Sequence, residues 1–316
     1  MLKCAVLDDY QNVARNFADW SALEGRAEVT FLHHHLGEGE AVSEALKDYD
    51  ILVVMRERTR FDAAVLNALP RLKLLVTTGP VNAAIDLEAA RAAGITVCGT
   101  GGDRRSTAEL TWALILGAAR GLTTEAAAVR DGGWQQGVGM ALYRRRLGVM
   151  GLGHIGAQVA AVGRAFGMEV LTWSPNMTAE RAEAAGATFV EDREAFFAQS
   201  DIVSLHLALV PATRGIVGRS ELRAMKPEAL LINTARAELV DEAALREALE
   251  ARWFAGAGLD VFHREPLEPG DSLRSLPHVL ATPHIGYVAD RVYRIYYRDA
   301  LEDILAWMDG TPLRQL

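Results

Sequence analysis

Gly151-Leu152-Gly153-His154-Ile155-Gly156 follows directly on the apolar run Leu147-Gly148-Val149-Met150, close to the midpoint of a 316-residue chain. In this pattern the first glycine permits a tight strand-to-helix turn, the second lets the backbone approach a pyrophosphate, and the third allows close helix packing. The phosphates then sit on the helix N-terminus, where unpaired N–H groups and the helix dipole favour an anion. A nucleotide-binding unit therefore begins halfway along the chain. Among 28 glycines such a hexapeptide is a weak signal when taken alone, and its flanks supply the context.

Upstream, short β-branched runs at residues 3–7, 28–32, 51–54, 72–77 and 95–98 alternate with helical segments. This alternation predicts a parallel sheet. Residues 106–121 are almost wholly apolar, and Ser106 and Glu109 have the spacing of a capping box, which predicts a long buried helix joining two lobes. Downstream, a second strand series falls at 169–173, 201–206, 230–233, 255–261 and 279–281. Residues 288–316 read as helix, and their apolar and aromatic stripe reads as core. Loops are expected to be short. The fold class is thus α/β with two Rossmann-like or flavodoxin-like lobes, each a doubly wound parallel sheet. The expected domains are 1–100 plus 287–316, with a dinucleotide-binding Rossmann domain, 101–286, inserted between them; the family resemblance set out below makes the first the substrate domain and the second the NAD(P)-binding one.

Composition narrows the function classes. Lys and Arg number 33 against 41 Asp and Glu, a net charge of −8, and no long basic run occurs. Nucleic acid and anionic membrane are therefore excluded as expected partners. No apolar stretch is long enough to span a bilayer, and residues 2–7 lead straight into a strand pattern without a leader-like h-region. The two cysteines, Cys4 and Cys98, lie in strand-like runs and read as core, so a reducing cytoplasmic location is expected.

Arg236, Glu265 and His284 lie at or just beyond the C-terminal ends of strands in the second series, where ligands of open α/β sheets bind. A guanidinium suits two-point grip of a carboxylate. An imidazole exchanges protons near neutral pH, and a neighbouring carboxylate favours its charged form and sets its tautomer. Each also has an ordinary reading, as a surface ion pair, a solvated glutamate or an inert loop histidine.

Taken together, these pieces resemble the D-2-hydroxyacid dehydrogenase family. The resemblance runs through Leu72-Lys-Leu-Leu-Val with Gly79 and Ile85-Asp86, Ser106-Thr-Ala-Glu109, the fingerprint, Asn233 to Asp241, Gly258-Leu-Asp-Val-Phe262 with Glu265-Pro266, and Thr282-Pro-His-Ile-Gly286. It implies hydride transfer between nicotinamide C4 and C2 of a small 2-oxo or 2-hydroxy acid, with the active site in the cleft between the lobes. Arg236 would hold the carboxylate and polarise the carbonyl, His284 would act as acid and base, and Glu265 would support it. Gly151, Gly153, His154, Ile155, Gly156, Ser174, His206, Thr213, Thr234, Ala235, Asp260 and Thr107 would bind the cofactor, with Asp260 orienting the carboxamide. Arg56, Gly79, Pro80 and Val81 would join Arg236 in binding substrate. Trp134 and residues 131–139 match the region that reaches across a twofold in related dimers, so a homodimer is expected.

The chain also departs from the family pattern. The strand after the fingerprint ends Trp173-Ser174-Pro175-Asn176 without the carboxylate that NAD-preferring members carry, and the first arginine beyond it is Arg181, which leaves NAD versus NADP open. Ala208, Ala237 and Tyr287 replace the residues usual at their positions. Adjacent histidines on a strand alternate faces, so His33-His34-His35 is not expected to bind a metal. A phosphorylated substrate would need extra cations, and Arg56, Arg58 and Arg104 are available. The competing readings are a dinucleotide-sensing, corepressor-like scaffold with little turnover, and a Rossmann-like methyltransferase, which would not need the Arg236, Glu265 and His284 set.

Overall fold

The computed structural model describes all 316 residues. The chain forms two compact units, Met1–Asp103 with Val288–Leu316, and Arg104–Tyr287.

In the first unit five parallel strands, β1 (Leu2–Val6), β2 (Ala27–Phe31), β3 (Ile51–Val54), β4 (Leu74–Thr77) and β5 (Thr96–Gly99), lie in the order β2-β1-β3-β4-β5. This is the flavodoxin-like order, with its reversal between β1 and β3. β3 and β4 are buried at every position, as continuous apolar runs covered on both faces must be. Short helices close the crossovers, with Asp62 and Asp86 accepting from the Val65 and Ala89 amides at their N-caps. The C-terminal helix is Asp290–Met308, shorter than the 288–316 expected. Beyond it, Arg314 O accepts from Gly99 N and Leu316 N donates to Val97 O, both at 2.9 Å, so the tail pairs along β5 and covers that sheet edge.

The second unit holds β6 (Arg146–Met150), β7 (Glu169–Trp173), β8 (Thr188–Phe189), β9 (Ile202–Leu205), β10 (Leu230–Asn233), β11 (Gly256–Leu259) and β12 (Val279–Ala281). All are parallel, in the order β12-β11-β10-β9-β6-β7-β8. Counted from β6, the order is that of the dinucleotide-binding fold with one added edge strand, and its reversal lies between β6 and β9. β8 has two residues, too few to show a strand period in sequence. One face of the sheet packs Phe196, Phe197, Leu222, Leu245 and Leu249, and the other packs Trp112, Leu114, Ile115, Val159 and Ala160.

Three expectations are corrected here. The apolar helix is Arg105–Arg120 with Arg104 at its N-cap, so Ser106 sits inside the first turn and does not cap it. That helix belongs to the second unit, packed in one core with Val149 and Ile232, and does not join two lobes. The loops are not uniformly short, because residues 131–145 contain no helix or strand.

Candidate functional site

The fingerprint turn is built as its glycines require. Gly151 has φ +102°, and a Cβ there would come within 3.1 Å of His206 O. A Cβ at Gly156 would lie 2.0 Å from Gly151 O, so the His154–Ala165 helix can approach the turn only with hydrogen at that position. A Cβ at Gly153 would meet nothing within 4 Å, so no protein neighbour demands glycine there. Backbone approach by a pyrophosphate does, and the first-turn amides beginning at His154 and Ile155 fit such a group.

Across the sheet reversal, His206 follows β9, and its Nε2 lies 2.8 Å from Ser204 Oγ. Burial pushes this imidazole down to about 4, so it is neutral near pH 7. Thr213 Oγ1 donates to Ala208 O at 2.7 Å and accepts from Val210 N at 2.9 Å, which pins the loop behind His206. At the end of β7, Ser174 is half-buried and its carbonyl accepts from Met177 N at 3.1 Å. Arg181 folds back so that its Nη1 donates to Asn176 O at 2.7 Å, which brings a cation to a loop that looks uncharged in the sequence.

The loops after β11 and β12 meet around one carboxylate. Asp260 is fully buried; its Oδ1 accepts from Thr282 Oγ1 (2.7 Å) and Ile285 N (2.8 Å), and its Oδ2 accepts from Gly286 N (2.8 Å). Burial pushes this carboxyl above its ordinary range, against the opposing pull of those donors and of His284. The loop it clamps holds His284 at φ +53°, a conformation uncommon outside glycine. His284 Nδ1 lies 2.6 Å from Glu265 Oε2, while Glu265 Oε1 accepts from Phe262 N at 2.9 Å. The carboxylate is thereby fixed at one oxygen by backbone and at the other by the imidazole. Tyr287 stands edge-on to the His284 ring at 5.7 Å.

Arg236 leaves β10 through a turn held by Asn233, whose Nδ2 donates to Arg236 O (3.0 Å) and whose Oδ1 accepts from Ala235 N (3.0 Å). The half-buried guanidinium donates through Nη1 to Ala235 O at 2.8 Å. Thr234 Oγ1 is 2.7 Å from Thr111 Oγ1, which donates to Thr107 O at 2.8 Å, and Thr107 Oγ1 donates to Gly286 O at 3.2 Å. The Arg105–Arg120 helix thus ties the Arg236 turn and the His284 loop together. Sequence reading named Thr107 and Thr234 but missed Thr111, whose only signal was a hydroxyl within a buried apolar run.

In the first unit, Gly79 has φ +89°, and a Cβ there would lie 1.8 Å from Arg56 Nη1. Its N–H, expected to serve a carboxylate, is already donated to Thr100 Oγ1 at 2.6 Å. Pro80 has no N–H, which leaves the exposed Val81 to supply the loop's donor. Arg56 Nη1 donates to Thr78 O (3.2 Å) and Val81 O (3.4 Å), bracing this loop, while Nη2 faces Glu57. In the histidine run, His33 Nδ1 is 3.2 Å from Asp9 O, whereas His35 Nδ1 is 4.0 Å from Asp8 Oδ1, so the two face different partners.

A dinucleotide-binding sheet carrying an imidazole–carboxylate pair and an arginine at its carboxyl edge defines a nicotinamide-dependent class of protein. Comparison with known proteins narrows the class. Residues 112–286 match the family described as D-isomer specific 2-hydroxyacid dehydrogenase, NAD binding domain. The chain is 39% identical over 251 residues to a D-3-phosphoglycerate dehydrogenase of Methanocaldococcus jannaschii, covering 78% of this chain and 47% of that protein. It is 37% identical to a glyoxylate reductase of Aeropyrum pernix, covering 79% and 78% of the two chains. A phosphoglycerate oxidoreductase from Vibrio cholerae superposes with a TM-score of 0.94 at 40% identity, covering 98% of this chain and 100% of the other. The chain spans about half the length of the curated D-3-phosphoglycerate dehydrogenases it matches. The chain belongs to the D-2-hydroxyacid dehydrogenase family, and its cofactor is NAD or NADP. No helix is long and apolar enough to cross a membrane.

Proposed function

We propose that the protein is an NAD(P)-dependent 2-hydroxyacid dehydrogenase working as a reductase of small 2-oxo acids. The observation that carries this reading is the 2.6 Å contact between His284 Nδ1 and Glu265 Oε2 at the carboxyl edge of a dinucleotide-binding sheet. With Nδ1 engaged by the carboxylate, Nε2 is the atom left to give or take the substrate proton. Glu265, itself held by the Phe262 amide, fixes the orientation of the ring. Arg236 binds the carboxylate and carbonyl oxygens, and its planar fork sets the carbonyl's orientation. The nicotinamide, when bound, supplies or accepts the hydride at C4. Gly151, Gly153, His154, Ile155 and Gly156 hold the pyrophosphate. Ser174, His206 and Thr213 bound the rest of the dinucleotide, and Asp260, Thr107, Thr234 and Ala235 orient its carboxamide end. Residues 104–287 form the cofactor domain, and the remaining residues, with the Gly79–Pro80–Val81 loop and Arg56, the substrate domain.

We also propose a cytoplasmic homodimer. Leu122, Val129, Trp134, Val138 and Tyr143 are all exposed, at 55% to 102%, on or just after the Leu122–Arg130 helix. So much apolar surface on one segment marks a contact face.

NADH and NADPH oxidation by purified protein with glyoxylate, hydroxypyruvate, pyruvate and phenylpyruvate tests the activity. Turnover of at least one of these is expected. Tight dinucleotide binding with no turnover of any would replace the reductase by a binding function.

A further inference from the structure

The Arg105–Arg120 helix carries Thr107 and Thr111 four residues apart, on one face. Thr111 is fully buried, and the other buried residues of this helix are all apolar, so its hydroxyl is kept there only if its hydrogen bonds are met. Two distances fix its single proton. Thr111 Oγ1 lies 2.8 Å from Thr107 O, a carbonyl that can only accept, so the Thr111 proton lies between these two atoms. Thr111 Oγ1 is also 2.7 Å from Thr234 Oγ1. With the Thr111 proton already spent, the proton in this second contact belongs to Thr234. Donation therefore runs one way, from Thr234 through Thr111 to the helix carbonyl. Thr107 is committed in the same manner, its Oγ1 donating to Gly286 O at 3.2 Å. The hydroxyls of Thr234 and Thr107 are thus left with lone pairs and no proton to offer a ligand.

We propose that Thr111 is a positioning residue: it takes the hydroxyl proton of Thr234 and so presents Thr234 Oγ1 to the dinucleotide as an acceptor, which selects a nicotinamide carboxamide against the corresponding carboxylate. The proposal rests on the reading of Thr234 as a contact of the carboxamide end. An amide NH2 donates to such an oxygen, whereas an ionised carboxylate can only accept and would set lone pairs against lone pairs. Thr111 is itself fully buried and acts only through Thr234. A valine in its place would leave the Thr234 proton free to turn outward, and the polarity of the contact would no longer be set.

The test titrates the full chain with NAD and with nicotinic acid adenine dinucleotide, in which a carboxylate replaces the amide; if NADP binds more tightly, NADP and its deamidated form are used instead. Wild type is expected to prefer the amide form by about tenfold, and equal binding overturns the proposal. Thr111→Val keeps the branched shape and removes the hydroxyl, and the preference is expected to narrow severalfold. A merely structural role would weaken both ligands alike and leave their ratio unchanged, which also overturns it. Thr111→Ser restores the hydroxyl and is expected to restore the ratio; failure to do so counts against the relay. The Asp260 charge also disfavours a carboxylate, but it is the same in every variant, so a shift in the ratio reports the Thr234 hydroxyl. Thr234→Val separates the two readings. A ratio moved by Thr234→Val but not by Thr111→Val sinks only this proposal, whereas a ratio that neither moves removes Thr234 from the carboxamide.

Discussion

At the residue scale the proposed chemistry depends on how firmly one imidazole is held. His284 is fixed by Glu265 at Nδ1 and by Asp260 through the flanking amides of Ile285 and Gly286. His284→Ala is expected to lower turnover about 10²–10⁴-fold, the usual worth of a positioned acid–base group, with dinucleotide affinity nearly unchanged. Stopped-flow rates paired with a binding isotherm check this, and near-normal rates would remove His284 from the role. Asp260→Asn replaces one acceptor oxygen by a donor, which must face either the Gly286 N–H or the Ile285 N–H and Thr282 hydroxyl. Leaving a buried donor pair unmatched costs about 1–3 kcal/mol, so thermal unfolding should fall and turnover with it. A variant with wild-type stability and rate would show that the clamp does not set the loop.

At the element scale the packing of strands and helices sets the geometry around the turn. Gly156→Ala puts a methyl 2.0 Å from Gly151 O, a backbone atom with no rotamer to move. The His154–Ala165 helix must therefore shift away from the turn, and dinucleotide affinity should drop at least tenfold in a titration followed by cofactor fluorescence. Affinity equal to wild type would mean that the helix approach is looser than the turn implies. Asp201, just ahead of β9, accepts from Arg146 N at 2.7 Å and from Lys226 Nζ at 2.9 Å, joining β6 to β9 at their N-terminal ends. Burial pushes its carboxyl up, but the Arg146 amide, Lys226 and Arg145 outweigh it and hold it below its ordinary 3.8. A carboxyl lowered by folding contributes stability that is present above its unfolded value and lost as pH falls through its folded one. The urea midpoint should thus be level above about pH 5 and fall below about pH 4. Asp201→Asn should start lower and fall less steeply on acidification; an acid limb as steep as wild type would assign the loss to other carboxyls.

At the scale of the whole molecule, the proposed self-association rests on the surface. Trp134 at 72% and Val138 at 102% exposure lie in a segment without helix or strand, where an isolated chain has no apolar partner to offer them. Sedimentation equilibrium is expected to give twice the chain mass, and Trp134→Asp to shift it towards the single chain. A wild-type monomer at micromolar concentration would refute the dimer. Buried thiols give no route to a covalent one, since burial pushes both Cys4 and Cys98 up to about 12 and keeps them protonated.

What the sequence by itself determined is what local covalent chemistry enforces. A run such as Ile51-Leu-Val-Val54 can only be a strand covered on both faces, and the fingerprint glycines announce their turn because no other residue tolerates φ +102° or a carbonyl 2.0 Å from its Cβ. Both sheets, and the position of Arg236, Glu265 and His284 beyond the ends of their strands, were legible for that reason. Tertiary structure alone decided where committed donors and countercharges lie. The N–H of Gly79 is donated to Thr100, 21 residues away, and Arg56 is braced against Glu57 and two carbonyls. Arg181 returned to the Asn176 carbonyl, and Thr111 met the hydroxyl of Thr234, 123 residues away. Hydrogen bonds and ion pairs of this kind form between groups brought together by the fold, and sequence spacing carries no trace of them.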